Sequence, residues 1–113
     1  MPVLSVNDLK AGLDYYQRVL GFQISGTWGE PPHLAGLCRD QVSLNLAARG
    51  KAGPADSSHV YMHVSGIEDF YRAVSDSGAT VTVTLDDHPY GMKDFGIRDP
   101  SGNDLHFGEV IAG

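Results

Sequence analysis

An internal repeat constrains this chain more than any other feature. Val6 corresponds to Val64, Leu9 to Ile67 and Leu13 to Tyr71, each at an interval of 58 residues in a chain of 113. A repeat of that size is one supersecondary unit that buries its apolar face with help from its own copy. The fold is therefore expected to contain two equivalent units that lean on each other.

Each unit reads in the same order. In the first, Val3-Leu4-Ser5-Val6 is a strand leading to Asp8, after which Leu9, Leu13, Tyr16 and Leu20 fall on one face of a helix. Gly21 stands where a left-handed helix end belongs, and Phe22 resumes extended structure. In the second, Val60 to Val64 is the strand, and Ser65 and Glu68 have the spacing of a capping box. Ile67, Phe70, Tyr71 and Val74 then form a helical face that Gly78 closes. Three short extended runs follow each helix, at 22–27, 34–39 and 42–47 in the first unit and at 80–85, 92–98 and 104–109 in the second. Both units read βαβββ. Gly36 and Gly96 correspond within the third strands, and Asp99-Pro100-Ser101-Gly102-Asn103 has the composition of a turn. Residues 50–58 read as a flexible polar linker. The organisation expected is one domain over 1–113, with module one at 1–49, the linker at 50–58 and module two at 59–113.

Strand residues alternate in character, as they do when helices cover one side of a sheet. Pro2, Leu4 and Val6, Val42, Leu44 and Leu46, Val60, Met62 and Val64, and Leu105 with Phe107 form the apolar set. The opposite parity carries Val3, Ser5, Ser43, Asn45, His59, Tyr61, His63, Asp104 and His106. A face so rich in imidazole, hydroxyl and amide groups suits the wall of a cleft, and a plain solvated sheet surface is the alternative.

Composition excludes several classes. Residues 1–50 carry four charges of each sign, whereas residues 51–113 carry ten acidic and four basic side chains, so the second module holds the whole net charge of −6. That field repels phosphate backbones and anionic lipid, so neither nucleic acid nor membrane is an expected partner. One cysteine, Cys38, allows no intrachain disulfide and no multi-cysteine zinc site, and most often such a strand cysteine is a small buried hydrophobe. Asp8, Lys10 and Asp14 interrupt any leader-like apolar run, so a cytoplasmic location is expected. No phosphate-cradling glycine loop, Gly-x-Ser-x-Gly elbow or Cys-x-x-Cys pair is present.

Val6-Asn7-Asp8-Leu9 followed by Tyr15-Tyr16 and Leu20-Gly21-Phe22, together with the run from Phe95-Gly96-Ile97-Arg98-Asp99 to Phe107-Gly108-Glu109, resembles the vicinal oxygen chelate superfamily over essentially the whole chain. That superfamily includes glyoxalase I, extradiol dioxygenases and bleomycin-resistance proteins. The resemblance implies an α+β fold in which two βαβββ modules form a curved, eight-stranded mixed sheet, and it implies a homodimer. Uncovered strand edges would favour the same association.

Metal-dependent members take ligands from the first and last strand of each module. By the resemblance those positions are Met1 and Asn45 in module one and His59 and His106 in module two. Two imidazoles, a thioether and an amide are a poor set for Zn, Ni, Mn or Fe, which ask for at least three good protein ligands. Glu109 and His63 lie nearby, but Glu109 has the opposite parity to His106. No metal and no cofactor are therefore expected. The pattern is closest to bleomycin-resistance proteins, which sequester an antibiotic in clefts at the dimer interface, and a bulky, cationic small molecule suits the acidic balance. Trp28, Tyr61 and Tyr90 are candidate stacking groups, with Asn45, His59, His63 and His106 as hydrogen-bonding groups. Phe95 is the fourth aromatic considered, with a core position as its ordinary role. His33 and His88 read as solvated loop residues. A metal-dependent lyase or ring-cleaving dioxygenase using His59 and His106 is the alternative function, and an adaptor domain without a ligand is a third.

Overall fold

A computed structural model describes residues 2–40, 42–49 and 58–111. The elements run β1 (Val3–Val6), α1 (Leu9–Arg18), β2 (Gln23–Trp28), β3 (Leu34–Arg39), β4 (Val42–Ala48), β5 (His59–His63), α2 (Ile67–Asp76), β6 (Thr80–His88), β7 (Met92–Arg98) and β8 (Asp104–Val110). Two βαβββ modules are thus present. The eight strands are hydrogen-bonded as two sheets of four, ordered β1-β4-β3-β2 and β5-β8-β7-β6. In each, the first strand runs parallel to the last and the other neighbours are antiparallel. The registers repeat as well, since Val3 lies opposite Asn45 as Tyr61 lies opposite His106, and Gly36 meets Asn45 as Gly96 meets His106.

The apolar parity faces the helices. Leu4, Leu44, Leu46, Leu105 and Phe107 are fully buried, and Tyr16 of α1, Leu20 just past it, and Ile67, Phe70 and Val74 of α2 join them in one continuous core. Removing that apolar surface from water is the main force holding each helix on its sheet. Phe95 belongs to this core and packs edge-on against Tyr71 and Phe70.

Helix starts differ between the copies. Asp8 caps α1 in the expected manner, its carboxylate accepting from the Ala11 amide at 3.2 Å. The Ser65–Glu68 capping box does not form. Gly66 is the N-cap of α2 in a left-handed conformation (φ 68°), and Glu109 of β8 accepts from the amides of Gly66 and Ile67 at 3.0 and 3.3 Å. Glu68 instead binds Lys93. Because Glu109 is spent on the helix side, its odd offset from His106 does keep it off the opposite face.

The modules meet through turns. The β7–β8 turn packs on α1 and β1, where the Tyr16 phenol donates to Asp99 at 2.7 Å and Asn103 donates to the Ser5 carbonyl at 2.7 Å. The Asn7 amide donates to Ser101 Oγ, and Arg49 donates to the Ser101 carbonyl. Ser5, assigned by parity to the open face, is consequently fully buried at this seam. On the other seam the Arg39 guanidinium sits 4.4 Å above the Phe70 ring. Of the linker only Ser58 is described, its amide donating to Asn103; residues 50–57, like Met1, lie outside the described residues.

Candidate binding faces

Each sheet keeps one face free of helices, and the candidate residues lie on these faces except Tyr90, which stands in the turn between β6 and β7. On module one, Trp28 ends β2 opposite Leu34, one residue past the extended run expected at 22–27, and is 53% exposed. Glycine makes room for it: a Cβ on Gly26 would come within 3.2 Å of the indole, and one on Gly36 would come within 2.7 Å of Ser25 Oγ and 3.4 Å of Asn45 Oδ1. Trp28, Ser25 and Asn45 are therefore gathered around Gly36. By register Val3, Leu34 and Cys38 share this face, which is uncharged among the residues so placed.

Module two carries a different wall. The rings of His59 and His106 stack 4.7 Å apart and 14° from parallel, and Tyr61 meets His63 edge-on at 5.5 Å. Glycines again make the space, because a Cβ on Gly96 would lie 2.7 Å from His106 Cε1 and one on Gly108 would collide with the Tyr61 hydroxyl. Burial, then the neighbouring His59, holds the His106 imidazole below its ordinary pKa, so it is neutral at pH 7. Asp104 is held below the usual carboxylate range by its 2.9 Å hydrogen bond from Arg98.

Beside this wall lies a cluster the sequence reading missed. Asp94, 3% exposed, accepts from the Tyr61 hydroxyl at 3.0 Å and from the Tyr90 hydroxyl through a short hydrogen bond. His88 Nε2 stands 2.7 Å from Asp94 Oδ1, off the line of a hydrogen bond, and the His88 ring stacks on Tyr90 at 5.2 Å and 10°. His88 is thus not a solvated loop residue: β6 runs three residues past its expected end and pairs Asp86, Asp87 and His88 with Asp94, Lys93 and Met92. Parity in β7 holds the signal for Asp94. With Phe95 and Ile97 buried toward α2, Asp94 and Gly96 fall on the face of His106. Tyr61 is pushed up to about 12 by burial and its bond to Asp94, and the Tyr90 phenol is raised by the same carboxylate.

The ligand positions implied for a metal do not fit one. An ion bound by an imidazole lies in the ring plane along a nitrogen lone pair, and two nearly parallel stacked planes have no such point in common near the rings. Asn45 is on the other sheet beside Gly36. Among the described residues no three His, Cys, Asp or Glu side chains converge as a ligand set.

The sequence model of the Glyoxalase/Bleomycin resistance protein/Dioxygenase superfamily matches residues 1–107. The chain belongs to that superfamily. Solved structures share the superfamily fold along nearly the whole chain. TioX from Micromonospora sp. ML1 is 21% identical, with a TM-score of 0.85 over 96% of this chain and 95% of its own. The bleomycin resistance determinant encoded on the transposon Tn5 is 21% identical, with a TM-score of 0.80 over 96% and 94%. Lactoylglutathione lyase from Agrobacterium tumefaciens is 20% identical, with a TM-score of 0.74 over 95% and 89%. No curated protein matches the sequence significantly. Among the described residues no helix is long and apolar enough to cross a membrane.

Proposed function

We propose that this superfamily member binds a bulky small molecule bearing a planar group, and sequesters it without a metal in clefts that two copies of the chain build together. The observation that carries this reading is the exposure of three large aromatic side chains, Trp28 at 53% and Tyr61 at 41% on helix-free sheet faces and Tyr90 at 63% in the turn between β6 and β7. Single exposed hydrophobes are ordinary, but rings held over strand glycines beside unspent amides and imidazoles are what a stacking site needs.

Each module supplies one wall. The modules of one chain join where the β7–β8 turn packs on α1 and the end of β1, leaving Trp28 and Tyr61 exposed, so a second copy placing its module two over module one closes each cleft. In that arrangement Trp28 and Tyr61 stack on the ligand, Tyr90 flanks it, and Asn45, His59, His63 and His106 offer hydrogen bonds. The net charge of −6 raises the encounter rate of a cationic ligand. The likeness to the Tn5 bleomycin resistance determinant supports this class of ligand.

Titration of Trp28, the single tryptophan, tests the reading. Metal-free bleomycin is expected to quench its fluorescence saturably, with one site per subunit and unchanged affinity in the presence of a chelator. An unchanged spectrum at millimolar ligand would remove this antibiotic class. Loss of binding with the chelator would overturn the metal-free part.

A further inference from the structure

The two walls are not chemically equivalent, and the difference is concentrated at one residue. The pair Asp94–Gly108 in module two occupies the register position of Leu34–Ala47 in module one. A carboxylate has thus replaced an aliphatic side chain on an otherwise repeated surface. It is almost fully buried, and no Lys or Arg lies within ion-pair distance of it among the described residues. Lys93 points the other way, to Glu68 and Asp87, and Arg98 is held by Asp104. Asp86 of β6 lies opposite Asp94 and adds a second negative charge to the same face.

The partners of Asp94 give that charge a direction. Tyr90 donates its hydroxyl to the carboxylate while His88 covers one side of its ring, so Tyr90 presents a single open ring face, tethered at its far end. A phenol that donates to a carboxylate gains electron density in its ring, which strengthens the attraction of that face for a cation. A neutral ring gains much less from the same platform.

Building on the proposed binding role, we infer that Asp94 is a specificity-determining residue: by tethering Tyr90 and enriching its open face, it makes the ligand's planar group at this position a positively charged ring. Asp94 acts through Tyr90 and the field, while Tyr90 makes the contact.

The test compares 1-methylquinolinium with quinoline, two planar probes of nearly equal shape of which only the first is charged at neutral pH. Their affinities are measured by ligand-observed NMR on the intact protein. The wild type is expected to prefer the cation about tenfold, the scale of a partly desolvated cation–π contact. Asp94→Asn and Tyr90→Phe are each expected to bring the preference within about twofold, and the second variant, altered only at an exposed turn residue, keeps the test open if the first folds poorly. Tyr90→Ala is expected to weaken the cation further. A preference unchanged in Asp94→Asn or in Tyr90→Phe overturns the assignment, as does equal binding of the two probes by the wild type. If bleomycin quenches Trp28 while neither probe binds, this inference fails and the binding function stands. If Trp28 is also silent, both fail.

Discussion

The hydroxyl of Tyr16 in α1 donates a 2.7 Å hydrogen bond to Asp99, 83 residues away in the other module, and both groups are buried. Asp99 also accepts from the Ser101 and Asn103 amides and from the Asn103 side chain, so one carboxylate organises the turn and fastens it to the opposite helix. Burial and the Asp99 charge hold the Tyr16 phenol well above its ordinary range, so it remains a donor at all working pH.

Tyr16→Phe removes that donor and little else. Leaving a buried carboxylate short of one hydrogen bond is expected to cost about 2 kcal/mol. Urea unfolding checks it. A loss below about 0.5 kcal/mol would mean that the remaining bonds to Asp99 carry the seam by themselves.

Glu109→Ala is expected to destabilise by about 1 kcal/mol, the usual scale for losing an N-cap acceptor. Here the cap is supplied by a distant strand. Protection of the amides of Gly66 and Ile67 against hydrogen exchange should fall first, while Glu68→Ala leaves them unchanged.

The repeat, the order of elements and the apolar parity were all legible in the sequence, because strand alternation and helical spacing are local properties. Tertiary choices were not. The spacing of Ser65 and Glu68 permits a capping box, yet Lys93 of β7 takes the Glu68 carboxylate and Glu109 of β8 accepts from the amides of Gly66 and Ile67 at the helix start. The acidic run before His88 resembles a loop in isolation and becomes strand only through its pairing with β7. Ser5 has the parity of the open face but lies under a turn from the other module. Trp28, Tyr61 and Tyr90 were legible as exposed aromatics, whereas Asp94 draws its meaning from three side chains distant in sequence or reached across a turn.

His106 predicts a pH dependence. Its folded pKa lies below the unfolded value near 6.5, so the unfolded chain takes up the proton first. Its contribution to stability is complete above that unfolded value and declines as pH falls toward the folded one. Melting temperature should therefore drop on acidification from pH 7, and His106→Gln should flatten that part of the curve. A steeper fall in the variant would contradict the assignment.

Gly108→Ala separates binding from folding. The new methyl group displaces the end of the Tyr61 side chain, a movable group, so the expected stability loss is under about 1 kcal/mol. The hydrogen bond from Tyr61 to Asp94 is broken by that displacement, and affinity for a quenching ligand at Trp28 should weaken at least fivefold. Calorimetry alongside fluorescence titration reads both effects.

The irregularities in pairing fall on β2 and β6, the outermost strands of their sheets, between Ile24 and Gly26 in one and at two places between Val81 and Asp86 in the other. A bulged border strand offers no regular template for another molecule's backbone, which guards the two long flanks against fibrillar stacking. Among the described residues only the short borders β1 and β5 keep an unbroken ladder, so growth into larger aggregates by backbone pairing is expected to begin there.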